Sequence, residues 1–369
     1  MTQNQTQGVF PTRLRACSSA SVWSAISGLA LLAMCLILTK RSDAHEAASD
    51  YVVKAIALPG TNGAVVLDHL AYDRGNGIIW VPGSNTGNVY VIKDNTDAVS
   101  TVSGFKAGEV ELEGKKAKMG PTAVSLGDGV VYIGNRANST LCVIDAYTFE
   151  RQSCVDVKRR SDVADAGPHG VVYIAATHEV WVTTGGGKAI QVFDAADQRH
   201  PEWKMEIPLE SGSEGYAVDN RRGRFYTNLD DTGKTVAFDV RSHQAVAKWD
   251  VGSQELQGIA LDPARGFVFV ACTDHVLSLD ADHEDKVLDS IVTGAGLDDI
   301  DFSADENVLY AAASVTGTLA MVEVGNDGKF RLKALVPTAK GARGVMAAKD
   351  EKAYVIDPAG GRVLKVLHK

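Results

Sequence analysis

One pattern returns seven times along this chain. Each copy holds a short apolar run built around a single aromatic residue: Trp80, Tyr132, Trp181, Tyr226, Phe269, Tyr310 and Tyr354, in IIWV, VVYI, VWV, RFYT, FVFV, VLYA and KAYV. A second apolar run follows and usually ends in an acid, as in VYVIKD, LCVID, IQVFD, VAFD, VLSLD and LAMVE. The aromatics recur every 41–52 residues. A period of that size made of short β-rich runs predicts an all-β, seven-bladed β-propeller of four-stranded antiparallel blades. Such a fold says where a site lies and leaves its chemistry to be argued from side chains.

Blade-opening strands are read in LDHLAYD, GPTAVSL, GPHGVVYI, SEGYAVD, LQGIALD, LDDIDFS and ARGVMAA, and fourth strands in AVSTVSG, RQSCVDV, EWKMEIPL, AVAKWDV, KVLDSIVT and RLKALVPT. The seventh repeat runs out of chain before its fourth strand. A spare strand, YVVKAIAL at 51–58, precedes the first repeat. Pairing it with 362–367 closes the ring and removes the exposed edges that invite association. The propeller then occupies residues 51–369 as one domain, behind a linker at 45–50. The acids Asp94, Asp145, Asp194, Asp239 and Asp280 end third strands, where a carboxylate nucleates the following turn by accepting backbone N–H groups.

Residues 22–39 carry no charge, with Arg13 and Arg15 before them and Lys40 and Arg41 after. Residues 1–44 therefore read as a signal peptide cleaved after Ser42-Asp43-Ala44, or as a retained membrane anchor. Either way the propeller is expected in the periplasm or outside the cell, touching a membrane only through 22–39. Residues 1–44 hold four basic residues and one acid, so their loss moves the net charge from −9 to −12. That balance counts against a polyanion partner. Three cysteines remain. If Asp145 pairs with Arg151, Cys142 faces Cys154 across a hairpin, and an oxidising compartment permits a disulfide there; the alternative is two small buried apolar side chains. Cys272 is left as a lone core thiol.

The repeats resemble the YVTN-type propellers, in particular the YncE-like family of exported bacterial proteins. The resemblance is carried by WVPGSNTGNVYVIKD, VYIGNRANSTLCVID and VWVTTGGGKAIQVFD, each a strand, a Gly/Asn turn and a strand, and by the openings LDHLAYDRGNG, GPHGVV, GLDDIDFS and GARGVM. It implies the fold over 51–369 and defines no catalytic residue. One class in that family is associated with DNA binding, which the acidic balance here opposes.

Aligning the blade openings places one polar residue per blade at the channel end of the first strand: Asp68, Thr122, His169, Glu214, Gln257, Asp298 and Arg343, with His69 and Asp299 one position further on. These residues are either solvated scaffold or a ligand site on the channel face. Asp68, His169, Glu214 and Asp298 supply three carboxylates and an imidazole, which suit a divalent ion such as Ca²⁺, Mg²⁺ or a harder transition metal. Arg343 suits a carboxylate or phosphate, or else neutralises Asp298 or Asp68. Loops between second and third strands, at 83–87, 185–188 and 230–234, are expected to rim the same face. The chain lacks CxxCH, GxSxG, a P-loop and HExxH, and His178, His200, His243, His275 and His283 read as surface or edge residues. The expectation is a monomeric exported propeller that binds a small molecule or an exported protein without catalysis. A metal-dependent hydrolase, lactonase or lyase is the alternative, and single-stranded DNA binding a second one.

Overall fold

The computed structural model describes residues 50–112, 115–158, 167–230, 232–252, 255–284 and 286–369. The segment at 22–39 and the basic residues Arg159 and Arg160 lie outside that set. Seven four-stranded antiparallel sheets form a seven-bladed β-propeller. Blades 1 to 6 are each built from consecutive strands. Blade 7 takes Arg343–Ala347, Ala353–Asp357 and Arg362–His368 from the end of the chain and Tyr51–Ala57 from its beginning. The closing pair runs antiparallel over seven residue pairs, from Tyr51 opposite His368 to Ala57 opposite Arg362.

The seven repeat aromatics explain why the sheets stack. All seven lie on second strands and are 0% exposed. Apolar residues alternate toward the two faces of each sheet, so every blade presents an apolar face to both neighbours. The core is accordingly divided into seven clusters, one at each seam between adjacent blades. Outer strands are the exposed ones; Arg151–Asp156 alternates exposed and half-buried residues.

Four local features depart from the sequence reading. A hairpin, Gly108–Leu112 with Lys115–Met119, stands between blades 1 and 2 and belongs to no blade. Cys142 does face Cys154, with their sulfurs joined at 2.07 Å. However, a bulge follows, so Arg151 pairs with Ile144 and not with Asp145. Asp145 and Asp239 each accept two backbone N–H groups of the turn that follows them, whereas Asp94 instead meets Lys352 Nζ at 2.7 Å and Tyr354 Oη at 2.6 Å, across the seam between blades 1 and 7. His243 is not a surface residue: its side chain is 12% exposed and its Nε2 lies 3.1 Å from the buried Glu179 carboxylate.

Candidate ligand site at the channel mouth

The first strand of a blade enters the ring at the channel. At that entry the ladder is repeatedly interrupted. In blade 4 Glu214 pairs with Asn228 and Tyr216 with Thr227, leaving Gly215 extra. In blade 6 Asp298 and Asp299 fall between the pairs Leu297–Ala313 and Ile300–Ala311. In blade 7 Gly344, at φ +57°, falls between Arg343–Ile356 and Val345–Val355. A bulge bends its strand and re-aims the neighbouring side chain, and in blades 4, 6 and 7 it accompanies a polar residue turned toward the axis. Close approach of the strands completes the ring. A Cβ on Gly258 would come within 2.6 Å of the Asp299 Cα and 2.8 Å of the Asp298 carbonyl oxygen, so a side chain there would force blades 5 and 6 apart.

The result is a cavity of about 390 Å³ lined by Asp68, His169, Glu214, Gln257, Asp298 and Arg343. Six of the seven aligned positions therefore share one site. Thr122 does not join them: it sits at a bulge between Pro121 and Ala123 and is 0% exposed. Blade 2 contributes Arg136 instead, and Asp230 and Glu255 complete the polar lining. Arg136 and Asp230 each follow the second strand of their blade, a loop position the repeat had pointed to. Neither 83–87 nor 185–188 lines the cavity. His69 and Asp299 line a second cavity of about 500 Å³, the channel body, where the first-strand side chains of several blades meet. Asp68 lines both.

His69 Nδ1 lies 2.6 Å from Asp299 Oδ2, so that nitrogen carries the proton and donates it to the carboxylate. The His69 ring packs edge-on against His169 at 5.9 Å and against Tyr216 at 5.4 Å. Tyr216 Oη accepts the Val171 N–H at 3.1 Å, which fixes the phenol between blades 3 and 4. His169 Nδ1 donates to the Ser213 carbonyl oxygen at 3.0 Å, and its Nε2 stands 3.8 Å from Glu214 Oε2. Arg343 Nε lies 3.1 Å from Asp298 Oδ2, so the guanidinium neutralises that acid and still shows 41% of its side chain to the mouth.

Burial opposes charge throughout this cluster, and the outcome differs by neighbour. The Asp68 carboxyl is held below the ordinary carboxylate range because His69, His169, Arg343 and Arg136 outweigh its desolvation. Burial would lower His69, but Tyr216, Asp299 and Asp68 raise it well above the ordinary imidazole range. Tyr216 is itself raised by burial and remains neutral, so we assign the His69 shift to the two carboxylates. His169 is lowered, by burial first and then by Arg136 and His69. Burial, with Asp230 and Asp68, pushes Glu214 up to about 8. Burial and Asp299 push Asp298 up to about 7 against the pull of Arg343.

No family model matches the chain, and no curated protein is similar to it in sequence. Solved structures do match in shape. A streptogramin B lyase superposes with a TM-score of 0.65 at 9% identity, over 88% of this chain and 99% of that one. The virginiamycin B lyase from Staphylococcus aureus gives 0.64 at 10%, over 86% and 100%. A chain of the Kuenenia stuttgartiensis hydrazine synthase gives 0.67 at 14%, over 85% and 99%. Likeness at such identities shows the architecture the chain shares with them, a β-propeller.

Proposed function

We propose that this protein is an exported propeller of the YncE-like kind that captures a small cationic ligand, or a basic side chain of an exported partner, at the channel mouth, and that it binds without transforming what it holds. The observation that carries this reading is the mouth itself: five carboxyl groups (Asp68, Glu214, Asp230, Glu255, Asp298) against two guanidiniums, with Glu214 and Asp298 holding protons near neutral pH that an incoming cation would displace. Among the described residues that line it there is no serine, threonine, cysteine or lysine, and its reactive groups are carboxyls and the His169 imidazole. A narrow acidic cavity with low-dielectric walls concentrates cations. The seven repeat aromatics are fully buried and offer no stacking platform to a single strand of DNA.

Titration of the exported protein with spermidine, arginine and citrate, followed by calorimetry, tests the reading. Binding of an amine or guanidine that weakens at least tenfold in Glu214→Gln supports it. Binding of citrate alone, or binding untouched by Glu214→Gln, would refute it. A metal-dependent hydrolase, lactonase or lyase is the second reading. It is favoured by one observation, the grouping of Asp68 with His69 and His169 on the floor of the mouth.

A further inference from the structure

Each of the two channel histidines has one ring nitrogen already committed. His69 donates Nδ1–H to a carboxylate and His169 donates Nδ1–H to a backbone carbonyl. These are the partners that fix a metal-binding imidazole, because they set its tautomer and orientation and leave Nε2 to face the ion. His69 Nε2 is fully buried and has no hydrogen-bond partner. A buried polar nitrogen left unpaired costs about 1–3 kcal/mol, a cost that an ion bound there would recover. The Asp68 carboxylate lies in the same group, and one ligand atom from each of Asp68, His69 and His169 falls within 4.8 Å of the other two. Donors around a first-row ion, each about 2.0–2.2 Å from it, stand roughly 3–4 Å apart, so a small closure completes the set.

We infer that Asp68, His69 Nε2 and His169 Nε2 form a binding site for one divalent first-row transition ion at the floor of the mouth, with Asp299 and the Ser213 carbonyl as the outer partners that orient the two imidazoles. Two imidazoles and one carboxylate suit Zn²⁺, Fe²⁺, Co²⁺ or Mn²⁺ and do not suit Ca²⁺ or Mg²⁺, which take oxygen. This set replaces the one read from the repeat. His69 enters because it lies next to Asp68, just before the blade 1 first strand, and groups with Asp68 and His169. Glu214 and Asp298 stand to the side, one beside His169 and the other paired with Arg343. Three protein donors leave coordination positions open toward the mouth, where an oxygen of a bound molecule has access. The site rests on neither reading of function, since an ion can fill it while the mouth above is empty.

The test uses the exported protein, stripped with chelator and titrated with Co²⁺, with metal content measured after desalting and the visible spectrum recorded. One Co²⁺ per chain is expected, displaced by Zn²⁺ and not by millimolar Ca²⁺. Binding should fall at least a hundredfold in His69→Ala and in His169→Ala, and about 10–100-fold in Asp299→Asn through loss of the orienting carboxylate. His243→Ala should keep the ion, and amine binding measured on the stripped protein separates this site from the ligand reading above. Thermal unfolding of each stripped variant shows whether it is folded. Should His69→Ala unfold, His169→Ala carries the same test. Substoichiometric Co²⁺, or stoichiometric Co²⁺ retained by a folded His169→Ala, would overturn the assignment.

Discussion

Replacing Asp94 with alanine should loosen the ring at the seam where its two ends meet. The carboxylate accepts hydrogen bonds from Tyr354 Oη at 2.6 Å, Lys352 Nζ at 2.7 Å and Tyr72 Oη at 3.2 Å, and faces Lys365 Nζ at 3.4 Å. Tyr354 is 0% exposed and Lys365 7% exposed, so neither can turn to water without opening the blade 1–blade 7 interface. Lys365 keeps Asp97 at 2.7 Å, but removing a carboxylate that holds two buried phenols and Lys352 in one buried network still costs about 3–5 kcal/mol. At about 2.1 cal/mol/K per residue over ~320 residues, that lowers Tm by ~4–7 °C. Asp239 holds the same place in its repeat but spends its carboxylate on two turn N–H groups. Asp239→Ala should cost about 1–2 kcal/mol and ~1–3 °C. The Asp94 carboxyl is held below its ordinary range, because Lys352, Tyr354 and Lys365 outweigh its burial. Its contribution is therefore present above the ordinary carboxylate pKa and lost as pH falls below it, so the gap between wild type and Asp94→Ala should narrow in acid. Scanning calorimetry of the three proteins at pH 7 and pH 3 decides the matter. Equal losses in Asp94→Ala and Asp239→Ala would refute the claim that the seam is latched there.

Deleting Tyr51–Ala57 removes a seven-pair ladder and bares the Arg362–His368 edge, and should give aggregation or a large loss of stability by light scattering and thermal melts. Thiol counting on denatured protein from an oxidising compartment, cleaved before residue 45, should find one free thiol, from Cys272. Reducing Cys142–Cys154 should cost no more than about 3 kcal/mol, since the loop it closes is short. Burial raises Asp301 to about 6, above its ordinary 3.8, against two backbone N–H donors and Arg74 and with Asp299 adding. The folded state therefore binds that proton more tightly than the unfolded one. Stability relative to Asp301→Asn should fall as pH rises from about 4 to about 6, then level off; denaturant titrations across that window check the sign.

The blades were legible because each needs one large aromatic on its second strand, and that demand prints a period on the chain. Six of the aligned polar residues reach one mouth for the same reason: equivalent positions in equivalent blades converge on one axis. The failures have physical causes too. Thr122 looked equivalent, yet the bulge at Pro121 turns it into the protein. Arg136 and Glu255 come from loops that the strand alignment did not search, whereas Asp230 opens the 230–234 loop expected at this face. The hairpin at Gly108–Met119 has Glu on its first strand, Lys on its second and no aromatic, so it matched no repeat. Asp94 was misread because its partners Lys352 and Lys365 lie 258 and 271 residues away, and only ring closure brings them near. The role proposed for His69 rests on the second nitrogen of its ring, whose surroundings no sequence shows.

The most direct measurement is an anomalous-difference map from crystals soaked in Zn²⁺ and measured at its absorption edge. A channel mouth that gathers its own ion site should give one dominant peak, about 2.0–2.2 Å from His69 Nε2, His169 Nε2 and an Asp68 oxygen. Density for water on His69 Nε2, with zinc found only at surface acids or nowhere, would contradict the site and leave the channel histidines as scaffold.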